Sequence, residues 1–218
     1  MTGVHKSIYF SEEHEMLRGQ IRRFITEKVL PNGEAWEAEG MIPRGVLREM
    51  GELGLFGIRY PEQYGGSDLD MLATVVLAEE LGRCTFGGFA VTVLVHTDMA
   101  SPHLVNAGNE TQLAKYLPNV IKGNLITAVA VTEPDAGSDV VALKTRAEKE
   151  GENWVLNGSK MFITNGVHGD LYFVAARTNS DAKGSRGITM FIVEKETPGF
   201  SVGRALSKMG WHSSDTAE

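Results

Sequence analysis

The sequence has a single cysteine, Cys84, among its 218 residues. An internal disulfide is therefore excluded, and with it the class of small secreted folds stapled by several bridges. Cys84 lies beside an apolar helical pattern, where a lone thiol reads as a small core residue before it reads as a nucleophile. Basic clusters are missing as well: no run of Lys or Arg exceeds two residues, and the formal charge is −7. Nucleic acid and anionic membrane surfaces both select clustered cations, so neither is an expected partner. The longest apolar run, Phe86 to Val95, is interrupted by Gly87 and Gly88 and falls short of the ~20 residues that cross a bilayer, so no membrane span is expected. Met1 to Phe10 carries no apolar core of signal-peptide length and is followed by Glu12, Glu13 and Glu15.

The common chemical motifs are absent too. None of the 25 glycines forms even a G-x-G, which excludes the dinucleotide-binding fingerprint. There is no G-x-x-x-x-G-K-[ST], H-E-x-x-H, C-x-x-C or G-x-S-x-G. His96 and His103 are seven apart and could share a helix face, but no carboxylate stands at ligand spacing, so metal binding is not expected.

What is present is an ordinary globular composition, 42% hydrophobic and 22% charged, divided into two patterns. Ser11 caps a first amphipathic helix carrying Leu17, Ile21, Phe24 and Ile25 as far as Pro31. A second starts at Pro43 and buries Val46, Leu47, Met50 and Leu53; a third spans roughly 69–81; a fourth runs from the Gly87-Gly88 pair through Leu104; a fifth follows the Asn109 cap to about Val120. From Thr127 the pattern turns to short β-rich runs at 127–132, 143–148, 154–159, 171–177, 188–193 and 200–206, separated by turn signals. The expected fold class is α+β: an all-α helical domain over residues 1–124, then a small antiparallel β-barrel or sandwich over 125–218.

At the start of that second half, Pro134 and Gly137 stop the strand ending at Thr132, and the following turn offers backbone N–H groups and small hydroxyls to an anionic or heteroaromatic ligand. A second element, Lys160-Met161-Phe162-Ile163-Thr164-Asn165-Gly166, is its one candidate companion. Taken alone, the turn reads first as an ordinary polar turn and Phe162 as a core aromatic.

Three stretches in order carry a resemblance: Thr132-Glu133-Pro134-Asp135-Ala136-Gly137-Ser138-Asp139, then Asn157-Gly158-Ser159-Lys160-Met161-Phe162-Ile163-Thr164-Asn165-Gly166, then Lys208-Met209-Gly210 with Ser214-Asp215-Thr216-Ala217-Glu218. Together they resemble the middle domain of the acyl-CoA dehydrogenases. Gly54-Leu55-Phe56-Gly57-Ile58, Pro61-Glu62-Gln63-Tyr64-Gly65-Gly66, Glu79-Glu80-Leu81-Gly82 and Gly108-Asn109-Glu110-Thr111-Gln112 extend it over the helical half, leaning to the long-chain and related bacterial branches.

The resemblance implies an FAD flavoprotein that oxidises a medium- or long-chain acyl-CoA to the trans-2-enoyl-CoA. It implies electron-transferring flavoprotein as acceptor, a homodimer or homotetramer, and a bacterial cytoplasmic or mitochondrial-matrix location. Carried over, Val129, Val131 and Thr132 line the isoalloxazine, Gly137 and Ser138 reach the flavin phosphates with Ser138 also at the acyl-CoA, and Phe162, Ile163 and Thr164 cover the other side. These types suit a flavin, which needs an apolar wall, donors where hydride charge collects, and small residues near the diphosphate. Asp135, where many relatives have Gly, sets an acidic group beside that turn. The α-proton base of the family is a glutamate of the C-terminal bundle, so no glutamate here is assigned the role, and the chain is expected to be truncated and inactive alone. Gly87 and Gly88 are expected to leave volume at the end of a deep acyl pocket, or else merely to precede the helix. Two other readings stay open: a flavin monooxygenase or nitroalkane-type oxidase of the same fold, and a non-catalytic subunit completed by a partner chain.

Overall fold

The computed structural model describes residues 7–182 and 184–218; residues 1–6 of the N-terminal stretch read above, and Lys183 in the turn at 181–187, lie outside the described residues. Helix α1, Glu12–Phe24, starts where Ser11 and His14 cap one another and Glu12, Glu13 and Glu15 face the positive end of the helix dipole. It buries Ile21 and Phe24 and passes into a π turn, Ile25–Val29. Next comes α2, Gly33–Glu39, which the periodicity did not reveal because Trp36 is its one large core anchor. Helices α3, Arg44–Glu52, and α4, Met71–Arg83, follow, the latter capped by Asp70. Glu80 of α4 is almost fully buried and bridges Arg18 and Arg22 of α1. Burial pushes its carboxyl up, but the hydrogen bonds from the two arginines outweigh that and hold it below the usual carboxylate range.

The expected fourth helix is three pieces: α5, Gly87–Leu94; a π turn, Val95–Ala100; and α6, Ser101–Ala107. Hydroxyls in and around the turn accompany the break. Thr97 Oγ1 donates to Val93 O, Ser101 Oγ donates to His96 O, and Tyr60 OH donates to Thr97 O, so several carbonyls there take side-chain donors. Helix α7, Glu110–Ile121, opens with a reciprocal Asn109–Gln112 cap.

The second half contains β1 (Thr127–Ala130), β2 (Arg146–Glu150), β3 (Asn153–Asn157), β4 (Ile163–Thr164), β5 (Leu171–Arg177), β6 (Ile188–Glu194) and β7 (Thr216–Ala217). The α+β class holds, but the purely antiparallel expectation is corrected. β1 and β2 both lie parallel to β5, whereas β3 and β6 pair antiparallel to β2 and β5, so the main sheet is mixed and forms no closed barrel. A tight hairpin can return a strand only antiparallel; the parallel β1–β5 pair needs a crossover of on the order of a dozen residues or more, and the connection 131–170 supplies it. That crossover carries both candidate motifs. The expected strand at 200–206 is only a ladder fragment, with Leu206 N donating to Thr216 O and Gly203 N to Glu218 O.

One apolar cluster joins the halves, with Leu117, Val120 and Ile121 packed against Leu171 and Phe173. Polar bonds set the register across the join. Arg44 pairs with Asp170, whose carboxylate also accepts from Ile126 N. His96 is fully buried: Nε2 donates to Val120 O while Nδ1 accepts from Thr127 N at 3.1 Å and lies 2.9 Å from Thr127 Oγ1. Both ring nitrogens are thus committed in the neutral tautomer, and burial pushes its pKa down to about 4.

An unfolded His96 takes up a proton near its ordinary pKa, while the folded one resists until about 4. Stability from this group is therefore intact above pH 6.5 and is lost as pH falls from 6.5 toward 4. At about 1.4 kcal/mol per pKa unit the loss reaches roughly 3 kcal/mol. Urea unfolding of the wild type and His96→Gln between pH 7 and 4 should show a steeper decline for the wild type by that amount.

Candidate flavin-facing site

The site is built at the end of β1. Glu133 and Ala136 exchange backbone hydrogen bonds and close a turn immediately after Thr132. Glu133 itself points inward, its side chain 5% exposed, and its carboxylate accepts from Lys144 N, from Thr145 N at 2.9 Å and from Lys160 Nζ at 2.8 Å. Burial alone pushes this carboxyl up, but Lys160 and the backbone donors prevail and hold it at about 2. Lys160 also donates to Val131 O at 3.0 Å, and Met161 N donates to Thr132 O at 2.9 Å. The two motifs, far apart in sequence, are thereby fastened side by side.

The third motif joins them. β7 pairs antiparallel with β4, matching Ile163 to Ala217 and Thr164 to Thr216. Asp215 accepts from Val167 N through its carboxylate and from Asn165 N through its carbonyl. Asn165 is buried at φ 60°, and its amide donates to Thr92 O on α5 and to Thr127 O on β1. An asparagine tolerates the left-handed region there and satisfies two buried carbonyls with one NH₂.

The sequence-derived site residues divide into two groups. Thr132 and Val131 are half-buried, Gly137 and Ser138 are exposed, and Phe162 is 63% exposed at φ 60°. Within the described residues the backbone N–H groups of Gly137, Ser138 and Asp139 have no hydrogen-bond partner, and a Cβ at Gly137 would meet no atom. That open run of donors suits an anion. Thr164 is half-buried beside Phe162. Ile163, by contrast, is 7% exposed and packs with Ala128, Ala130 and Tyr172, and Val129 packs toward Leu171 and Phe173. Asp135 turns its charge to Lys144, 2.8 Å away, so it is paired beside the turn.

Gly87 and Gly88 open no void. A Cβ at Gly87 would lie 2.2 Å from Trp211 Nε1, and one at Gly88 2.3 Å from Ser213 Oγ. Their small size admits the connection before β7, which Glu37 anchors by accepting from His212 N and Ser213 Oγ. Among the described residues no His, Cys, Asp or Glu cluster could hold a metal ion, and no helix is long and apolar enough to cross a membrane.

Comparison with known proteins meets this geometry at both halves. The family description "Acyl-CoA dehydrogenase, N-terminal domain" matches residues 11–124, and "Acyl-CoA dehydrogenase, middle domain" matches 128–218. The chain belongs to the acyl-CoA dehydrogenase family. It is 42% identical over 221 residues to the mitochondrial long-chain specific acyl-CoA dehydrogenase of Mus musculus, covering 100% of this chain and 50% of that protein. A crystal structure of acyl-CoA dehydrogenase from Geobacillus kaustophilus superimposes with a TM-score of 0.92 at 42% identity, over 97% of this chain and 56% of that one. An acyl-CoA dehydrogenase from Bacillus anthracis solved in complex with FAD is similar at a TM-score of 0.87 and 39% identity, over 96% and 35% of the two chains. The chain thus spans about half the length of the curated relatives it matches.

Sequence reasoning passed over Glu133, Lys160, Asn165 and Asp215, although all four stand inside the motifs. The available signal was a lone Lys just ahead of an apolar run and a lone Glu ending a strand; nothing in their spacing says that they pair. Asn165 allows a direct check. Asn165→Ala removes the side-chain donor from Thr127 O and from Thr92 O, the latter keeping Val95 N, and forces alanine into the left-handed region, which should cost roughly 2–4 kcal/mol in chemical denaturation. Asn165→Gly, which removes the backbone strain, should recover about 1 kcal/mol of that.

Proposed function

We propose that this chain forms the helical domain, residues 1–124, and the β-domain, residues 125–218, of an FAD-dependent acyl-CoA dehydrogenase acting on medium- or long-chain acyl-CoA. The observation that carries the reading is the joining of 131–138 to 160–164 by Lys160 and Met161, with free N–H groups at one end and Phe162 presented at the other. The donor set fits FAD. In this proposal the N–H groups at 137–139 and the Ser138 hydroxyl hold the diphosphate, and Thr132 and Thr164 offer donors to the isoalloxazine edge. Phe162 and Val131 supply apolar cover, and Val129 and Ile163 contribute backbone. FAD, when bound, supplies hydride acceptance for α,β-dehydrogenation to the trans-2-enoyl-CoA.

The chain's own part is to bind, orient and exclude water on one side of that reaction. In this proposal Ser138 touches both the cofactor and the acyl-CoA, a reading its exposure supports. No glutamate of the chain is assigned as the α-proton base, and the exposure of Phe162 leaves this wall open on its other side. Chain length is proposed from the likeness to the long-chain specific enzyme, since the glycine pair is occupied by Trp211 and Ser213. Electron-transferring flavoprotein as acceptor, a homodimer or homotetramer, and a bacterial cytoplasmic or mitochondrial-matrix location complete the proposal.

Two measurements test it. Purified alone, the 218-residue chain should show no turnover of any acyl-CoA; measurable turnover refutes the assignment of the base outside it. The full-length enzyme carrying this chain should bind FAD and favour dodecanoyl-CoA over butyryl-CoA. A butyryl preference overturns the chain-length part, and failure to bind flavin overturns the whole.

A further inference from the structure

We propose that Lys160 is a positioning residue for the flavin: it fixes and polarises the Val131–Thr132 peptide, so that the Thr132 N–H is aimed and strengthened as a donor to an isoalloxazine heteroatom. The inference rests on the flavoprotein reading above and adds a role that no motif assigns.

Four features support it. The Lys160 side chain is 10% exposed and bonds both Glu133 Oε1 at 2.8 Å and Val131 O at 3.0 Å. A buried ammonium placed on a backbone carbonyl is costly unless its charge is balanced, and Glu133 balances it. Glu133 cannot swing away, because Lys144 N and Thr145 N hold the same carboxylate. The peptide between Val131 and Thr132 is trans, as no cis bond occurs among the described residues. Its N–H therefore points opposite to the carbonyl that Lys160 occupies.

That N–H has no hydrogen-bond partner among the described residues, although Thr132 is half-buried. An unpaired, partly buried donor at a candidate ligand wall calls for an acceptor. A cationic donor on the carbonyl side withdraws electron density along the peptide, which strengthens the N–H on the other side. A clip that only had to hold two loops together could use an apolar contact. A charge on this carbonyl does more, because its effect passes through the peptide to Thr132.

The test uses the full-length enzyme and its Lys160→Met, Lys160→Arg and Glu133→Gln/Lys160→Met variants. The double variant leaves no buried lone charge, so it remains informative if Lys160→Met does not fold. Flavin affinity, the visible flavin spectrum and the flavin reduction potential are read beside thermal melting. The expected result is a loss of flavin affinity of roughly tenfold or more in the Met-containing variants, the size set by one charge-assisted hydrogen bond. Spectrum and potential should shift with it, and Lys160→Arg should restore both. Wild-type affinity, spectrum and potential in a folded Met variant, even with a lowered melting temperature, overturn the inference and leave the flavoprotein reading standing. Absence of flavin from the wild type overturns both.

Discussion

The buried Glu133 carboxylate is the constraint on which the rest of the site depends. Three donors from two parts of the chain converge on it: Lys144 N and Thr145 N from the approach to β2, and Lys160 Nζ from the approach to β4. Without that convergence the turn at 133–136 would lose its anchor, leaving only Met161 N on Thr132 O, Lys160 on Val131 O and the Asn165 amide on Thr127 O to hold the crossover against β1. With it, the turn at 133–136 is held from inside, and the run of free N–H groups at 137–139 stays outside. The energetic sense is asymmetric. A buried ion pair adds little over a well-packed apolar one, but removing one partner strands a charge, so its value lies in specifying one arrangement.

The helical half is tied to this site by a second set of bonds that use backbone groups at element ends. His96 joins the π turn, α7 and β1; Asn165 joins α5, β1 and the β4 turn; Asp170 joins α3 to the start of β5. Each bonds backbone groups at or near element ends, among them Thr127 N and Ile126 N. The glycines at 87 and 88 belong to the same system, since they let the connection carrying Trp211 and Ser213 pass against α5 on its way to β7. A glycine pair that suggested empty space in the sequence is a point of close contact in the fold.

Much of this was legible from sequence. Caps at Ser11 and Asn109 announce α1 and α7, and the change to alternating β-rich runs after Thr127 marks the second half. The three motifs named the family and drew attention to the turn, and both family matches agree with that reading. What was not legible has common physical causes. The break in the fourth helix is accompanied by hydroxyls bonding to nearby carbonyls, a choice that helical periodicity does not encode. The parallel direction of β1 against β5 depends on where a long connection returns.

By itself the sequence determined the classes of local structure and the family, because caps, periodicity, turn residues and ordered motifs are properties of neighbouring residues. Which side chains meet was decided only by the tertiary structure. Glu133 and Lys160 stand 27 positions apart, and Asn165 reaches Thr92 across 73. Such pairs form only after the crossover has closed and water has been excluded, when a buried charge or carbonyl must take whatever partner the fold brings within reach. The same closure turned Ile163 inward, left Val129 partly buried against Leu171 and Phe173, and left Phe162, Gly137 and Ser138 facing out.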